Sequence, residues 1–154
     1  MRNKLFAILV GAALAMVSAS SVFADTGGGG TADLGLEAVT ISSGSVVAKT
    51  GVVTLTGSID CTQDLEAGVF VDLAQVVGRF NTIRGFGFTT VGCLATAGHA
   101  AFSMSFLADQ GKFAPGGARV SASADVFVCD EVTGECFEDF VSYGPASIRL
   151  KSGK

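Results

Sequence analysis

Four cysteines, Cys61, Cys93, Cys129 and Cys136, are the residues best placed for covalent chemistry in this chain of 154 residues. No C-x-x-C pair occurs and His99 is the single histidine, so the spacing argues against a zinc site. An even cysteine count behind an export-type leader reads as two disulfides. Four cysteines allow three pairings; the expected one is Cys61–Cys93 with Cys129–Cys136. The stretch ARVSASADVFVC runs into Cys129, crosses six residues and returns at Cys136, a span that suits a bridged hairpin.

Other side chains permit chemistry without specifying it. Asp130, Glu131, Glu135, Glu138 and Asp139 form an acidic run that could offer oxygens to calcium, but the ligand spacing of an EF-hand is missing. Solvated turn charges explain such a run as well. His99 could act as a general base, yet Thr96, Ser103 and Ser105 nearby sit in no Gly-x-Ser-x-Gly elbow. Asp60, Asp64, Glu66 and Asp72 supply carboxylates from which a glycosidase pair could be drawn, as any acidic protein does. Gln75 is polar on an otherwise apolar strand face, where it either hydrogen-bonds within the core or lines a cleft. Phe70, Phe127 and Phe140 fall on alternate positions that point outward, so Phe70 and Phe127 join Gln75 as candidate ligand contacts. Nothing calls for a cofactor.

The elements that carry these residues alternate with a period of two. Ala118, Val120, Ala122, Ala124, Val126 and Val128 line one face of a long strand, against Arg119, Ser121, Ser123, Asp125 and Phe127. Val53, Leu55, Gly57, Ile59 and Cys61 do the same in Val52 to Cys61, followed by a polar loop from Thr62 to Gly68. Val69, Val71, Leu73 and Val77 point inward with Gln75. Phe86 and Phe88 share one face of Phe80 to Cys93, where neighbouring glycines permit a bulge or tight bend. Phe102, Met104 and Phe106 alternate in His99 to Ala108. A first short strand spans Leu34 to Ile41, with a turn at Ser42-Ser43-Gly44, and Ala146, Ile148 and Leu150 close the chain. Strict pairing across Cys129–Cys136 would set Asp139 beside Val126, so a bulge is expected near Glu138 to Phe140. No window carries a helical period.

Met1 to Ala24 reads as a signal peptide: Arg2 and Lys4 precede the apolar run Leu5 to Val17, and Val22-Phe23-Ala24 offers a cleavage site. Residues 25–33 follow as a Gly-rich leader, 34–150 as a single domain and 151–154 as a tail. Removing Arg2 and Lys4 lowers the basic count from 10 to eight against 14 acidic residues, a net charge of −6 in place of −4. An acidic domain with no basic cluster argues against nucleic acid or anionic membranes as partners. Seven to nine strands joined by Gly-rich turns imply an all-β, immunoglobulin-like antiparallel sandwich, secreted to the periplasm or beyond. The absence of tryptophan removes the core residue typical of antibody domains.

The succession GVVTLTGSIDC, Gln75-Val-Val-Gly-Arg79, Cys93 and KFAPGGARVSASADVFVC resembles a family of uncharacterised secreted bacterial sandwich domains. The likeness covers about Ala38 to Cys129 and implies export and a sandwich, with no reaction; Phe102 stands where that family often has Trp. A fainter likeness links Cys129 and Cys136 to the late bridge of neocarzinostatin-type apoproteins, which implies a small aromatic ligand at the open end. The expectation is a secreted, non-enzymatic module that binds a protein, glycan or small molecule, or is structural. A small-ligand carrier and a secreted hydrolase are the alternatives.

Overall fold

Alternation of small or branched apolar residues with polar ones runs through seven stretches, and each becomes a strand with one buried face. The computed structural model describes residues 33–79 and 81–153. The proposed signal peptide, leader residues 25–32, Phe80 and Lys154 lie outside the described residues. In chain order the strands are β1 (Leu36–Val46), β2 (Val53–Cys61), β3 (Leu65–Val77), β4 (Asn81–Cys93), β5 (His99–Phe106), β6 (Gly116–Cys129) and β7 (Cys136–Ser152). No helix occurs among the described residues. The protein is all-β, with the two disulfides Cys61–Cys93 and Cys129–Cys136.

The strands follow the order β4-β3-β6-β7-β1-β2-β5. Every pairing is antiparallel except β1 with β7, which run parallel over Gly44–Val46 and Leu150–Ser152. The ribbon folds back on itself so that β4 approaches β5, and the Asp109 N–H donates to the Arg84 carbonyl at 2.9 Å beside that seam. Four strands, β4-β3-β6-β7, therefore face β1-β2-β5. This arrangement is consistent with the immunoglobulin-like sandwich expected from the sequence.

Buried residues from both halves meet in one core, with Leu55, Ile59, Val69, Val71, Leu73, Val120 and Phe113 almost fully enclosed. Cys61 ends β2 and Cys93 ends β4, so their bridge ties the two halves together at one pole. Cys129 and Cys136 face each other directly across the β6–β7 hairpin, with Cα atoms 4.0 Å apart.

Several boundaries differ from expectation, each for a local reason. Strand β1 continues through Ser42-Ser43-Gly44; a register shift between Ile41 and Ser43 takes up the irregularity. Leu65 to Gly68 belongs to β3 because each residue has a β4 partner. Lys151 and Ser152 extend β7 by pairing with β1. No bulge forms near Glu138 to Phe140: Val126 faces Asp139 in strict register, and the shift occurs where Gly144-Pro145 separates Tyr143 from Ala146. The Asp139 carboxylate tolerates its inner position because Oδ2 accepts the Leu34 and Leu36 N–H groups, each at 3.1 Å.

The β4 glycines do not bend their strand, which pairs with β3 without interruption from Asn81 to Cys93. They serve close approach instead. A Cβ at Gly85 would lie 2.7 Å from the Leu107 carbonyl oxygen, and one at Gly87 would lie 2.8 Å from Met104 Sδ. Both glycines point into the core, which turns Phe86 and Phe88 to the outside.

Candidate functional site

The outer surfaces of β1-β2-β5 and of β4-β3-β6-β7 have opposite chemistry. On β1-β2-β5, short hydroxyl side chains satisfy one another: Thr40 with Ser58 at 3.0 Å, Ser43 with Thr56 at 2.7 Å, and Thr54 with Ser105 at 2.7 Å. That face is polar and already hydrogen-bonded. On β4-β3-β6-β7 the alternation instead presents Phe86 and Phe88 from β4, Phe70 from β3, Phe127 from β6 and Phe140 from β7.

The register explains how these rings gather. Phe70 lies opposite Phe88 on one side and Ser123 on the other, and Asp125 lies opposite Phe140. The Phe70 ring stands 4.8 Å from that of Phe88 and 6.0 Å from that of Phe86, in tilted geometry. Phe70 is half-buried under its neighbours, whereas Phe86, Phe88, Phe127 and Phe140 are 48%, 53%, 63% and 56% exposed. Four rings this open, gathered with Phe70 on one face, form an apolar patch of the kind that marks an interaction surface.

Asp125 lies within this aromatic surface. Its Oδ1 would touch a Cβ at Gly68 at 3.0 Å, is enclosed, and has no hydrogen-bond partner. An enclosed carboxylate oxygen without a donor costs free energy, so Asp125 is held at the expense of stability. Further along the same face, Arg84 and Arg119 flank Ala74 from the two neighbouring strands. They border open depressions of about 200 and 420 Å³, lined also by Asp72, Ser121, Thr82 and Ser147. The guanidiniums are exposed, and neither has an ion-pair partner within 4.0 Å among the described residues.

The sequence candidates are divided by this geometry. Phe70 and Phe127 lie on the aromatic face, but Gln75 lies on the opposite side of β3, 3% exposed. Its amide donates to the carbonyls of Ala114 at 2.8 Å and Gly117 at 3.3 Å and accepts from the Ala114 N–H at 2.9 Å. Gln75 is thereby a fastener for the β5–β6 connection, with its hydrogen-bonding groups engaged inside the protein. Phe86 and Phe88 complete the cluster; the alternation Gly85-Phe86-Gly87-Phe88 signals that they share a face, and the structure sets that face outward.

The acidic run is partitioned in the same way. Asp130 Oδ1 accepts the N–H groups of Val132 at 2.7 Å and Thr133 at 2.9 Å, and Asp139 holds the start of β1. Those backbone hydrogen bonds from Thr133 and Val132 pull the Asp130 carboxyl below its ordinary range. No group of three or more His, Cys, Asp or Glu side chains suited to a metal occurs among the described residues.

His99 is exposed, opposite Asp60, with Nδ1 3.1 Å from the Ala97 carbonyl oxygen. Asp60 belongs to the hydroxyl face and Glu66 and Asp72 to the aromatic face, while Asp64 accepts the Ala95 N–H at 2.8 Å. The carboxylates considered for glycoside hydrolysis are therefore dispersed over both outer surfaces. Compared with known proteins, the chain matches no family model, no curated protein and no solved structure.

Proposed function

We propose that this chain is a secreted, non-enzymatic binding module whose contact surface is the outer face of β4-β3-β6-β7. The observation behind this reading is the cluster in which Phe70 meets Phe86 and Phe88 in tilted geometry, extended by exposed Phe127 and Phe140 on the same side. Aromatic side chains of this kind provide large contact area at low entropic cost when a partner covers them. The two disulfides fit an oxidising environment, as export would provide. The basic start and apolar run of Met1 to Ala24 support the same destination. The interior between the halves is occupied by aliphatic and aromatic side chains, which favours recognition at the surface over a ligand held within.

Site-specific photocrosslinking tests the assignment. A crosslinking amino acid at position 88 should capture material from the secreted fraction of the producing cells, while the same group at position 56, on the hydroxyl face, should not. Equal capture at both positions, or capture at 56 alone, would overturn it.

A further inference from the structure

The aromatic face carries charges of both signs in an order that makes it complementary to itself. Take the level of Ala122 on β6 as the centre. Asp125 lies three residues to one side of it and Arg119 three to the other, both on the outer face. On β7, Glu138 is level with Phe127 and Arg149 with Gly117, five residues to either side. On β4, Phe88 is level with Ser123 through Phe70, and Phe86 with Ser121 through Asp72, one residue to either side.

We propose that a second copy of this chain covers the face, related by a two-fold axis lying in the interface across the strands at the level of Ala122. This rests on the reading of that face as the contact surface and names its occupant. Such an axis reverses strand direction while keeping β4 over β4, β6 over β6 and β7 over β7. Arg119 of each copy then meets Asp125 of the other, Arg149 meets Glu138, and Phe86 meets Phe88. Each contact occurs twice, as a two-fold interface requires. The half-buried Asp125 side chain gains a guanidinium neighbour on its outward side, and both Arg119 and Arg149 gain carboxylates. Asp72, the remaining central carboxylate, is close to Arg84 and Arg119 of its own copy around the smaller depression.

The available area is sufficient. Four strands about 4.8 Å apart and ten residues at about 3.4 Å each give a face of roughly 650 Å², or roughly 1,300 Å² for two copies. Stable interfaces bury about 1,200–2,000 Å².

Sedimentation analysis of the disulfide-bonded protein, with charge-reversal variants, tests the pairing. The protein should form a dimer that R119D weakens about a hundredfold, because two attractions become two like-charge contacts. Combining R119D with D125R should restore dimerisation. Asp125 is partly enclosed, so E138R, R149E and their combination provide a second set on exposed side chains. Loss in each single variant and recovery in the swap would support the proposal. A chain that stays monomeric at about millimolar concentration overturns self-pairing but leaves crosslinking at position 88 to find another partner. A dimer indifferent to all these substitutions overturns self-pairing through this face; crosslinking confined to position 56 would overturn the face itself.

Discussion

Gln75 and Ala114 exchange two hydrogen bonds, side-chain amide to backbone, in the manner of two paired strand residues. The loop between β5 and β6 cannot pair there with a strand, and a buried amide supplies the missing donor and acceptor. Replacing Gln75 with Leu keeps the apolar volume but strands the Ala114 N–H and C=O. The expected loss is about 2–3 kcal/mol in urea denaturation. A change below about 0.5 kcal/mol would mean water reaches Ala114 without cost.

Asp139 joins residues more than a hundred positions apart, since Leu34 and Leu36 both donate to its Oδ2. D139A should speed amide exchange at Leu34 and Leu36 while leaving the centre of β6 protected, at a cost of about 1–3 kcal/mol. Uniform acceleration throughout the sheet would show that the contact holds the whole fold and not one strand entrance.

The two disulfides enclose chain segments of different length, with separations of 32 and 7 residues. Loop-closure entropy assigns about 4 kcal/mol to Cys61–Cys93 and about 2.5 kcal/mol to Cys129–Cys136. Removing the first pair as C61A/C93A should therefore lower the denaturation midpoint more than C129S/C136S. The reverse order would indicate that the hairpin holds the sheet in a way loop length does not describe.

Asp130 is fully exposed, so its effect is local. Its carboxyl is held below the ordinary value by the N–H groups of Thr133 and Val132, which favour the charged form. A depressed carboxylate contributes order above its unfolded pKa and loses it as pH falls through the folded one. Amide exchange at Val132 and Thr133 should accelerate only below the usual carboxylate range, with D130N exchanging fast at every pH. Acceleration near that usual range would contradict the hydrogen-bond assignment.

Much of the fold is legible in period-two alternation: β2 buries the face its sequence indicates and β6 does so from Ala118 to Val126, whereas Val128, expected on the same inner face, lies beyond the core edge and is 48% exposed. Both cysteine pairings were legible too, one from its short span. The strand β4 was harder, because glycine is silent about direction. Only the positions of Phe106, Phe113 and Met104 across the core reveal that Gly85 and Gly87 face inward and Phe86 and Phe88 outward. Asp139 misled for a related reason: a carboxylate looks wrong on an inner face until the two N–H groups that meet it come from a distant segment. Gln75 was readable as polar on an apolar face, but its partners lie 39 and 42 residues away. The assembled aromatic surface depends on register across four strands, information that no single window of sequence contains.

The short parallel seam between β1 and β7 gives the domain a mechanical character. Residue 33 leads into β1 at the pole where Asp139 lies, and β7 reaches residue 153 at the other. Tension applied through these two points slides β1 lengthwise against β7. The bonds along Gly44–Val46 and Leu150–Ser152, with the Gly153 N–H held by the Val46 carbonyl at 2.8 Å, then share the load and yield together. Under a pull across the strands, the same bonds would break in succession. A tether running through this domain would thus transmit tension along its stiffest direction.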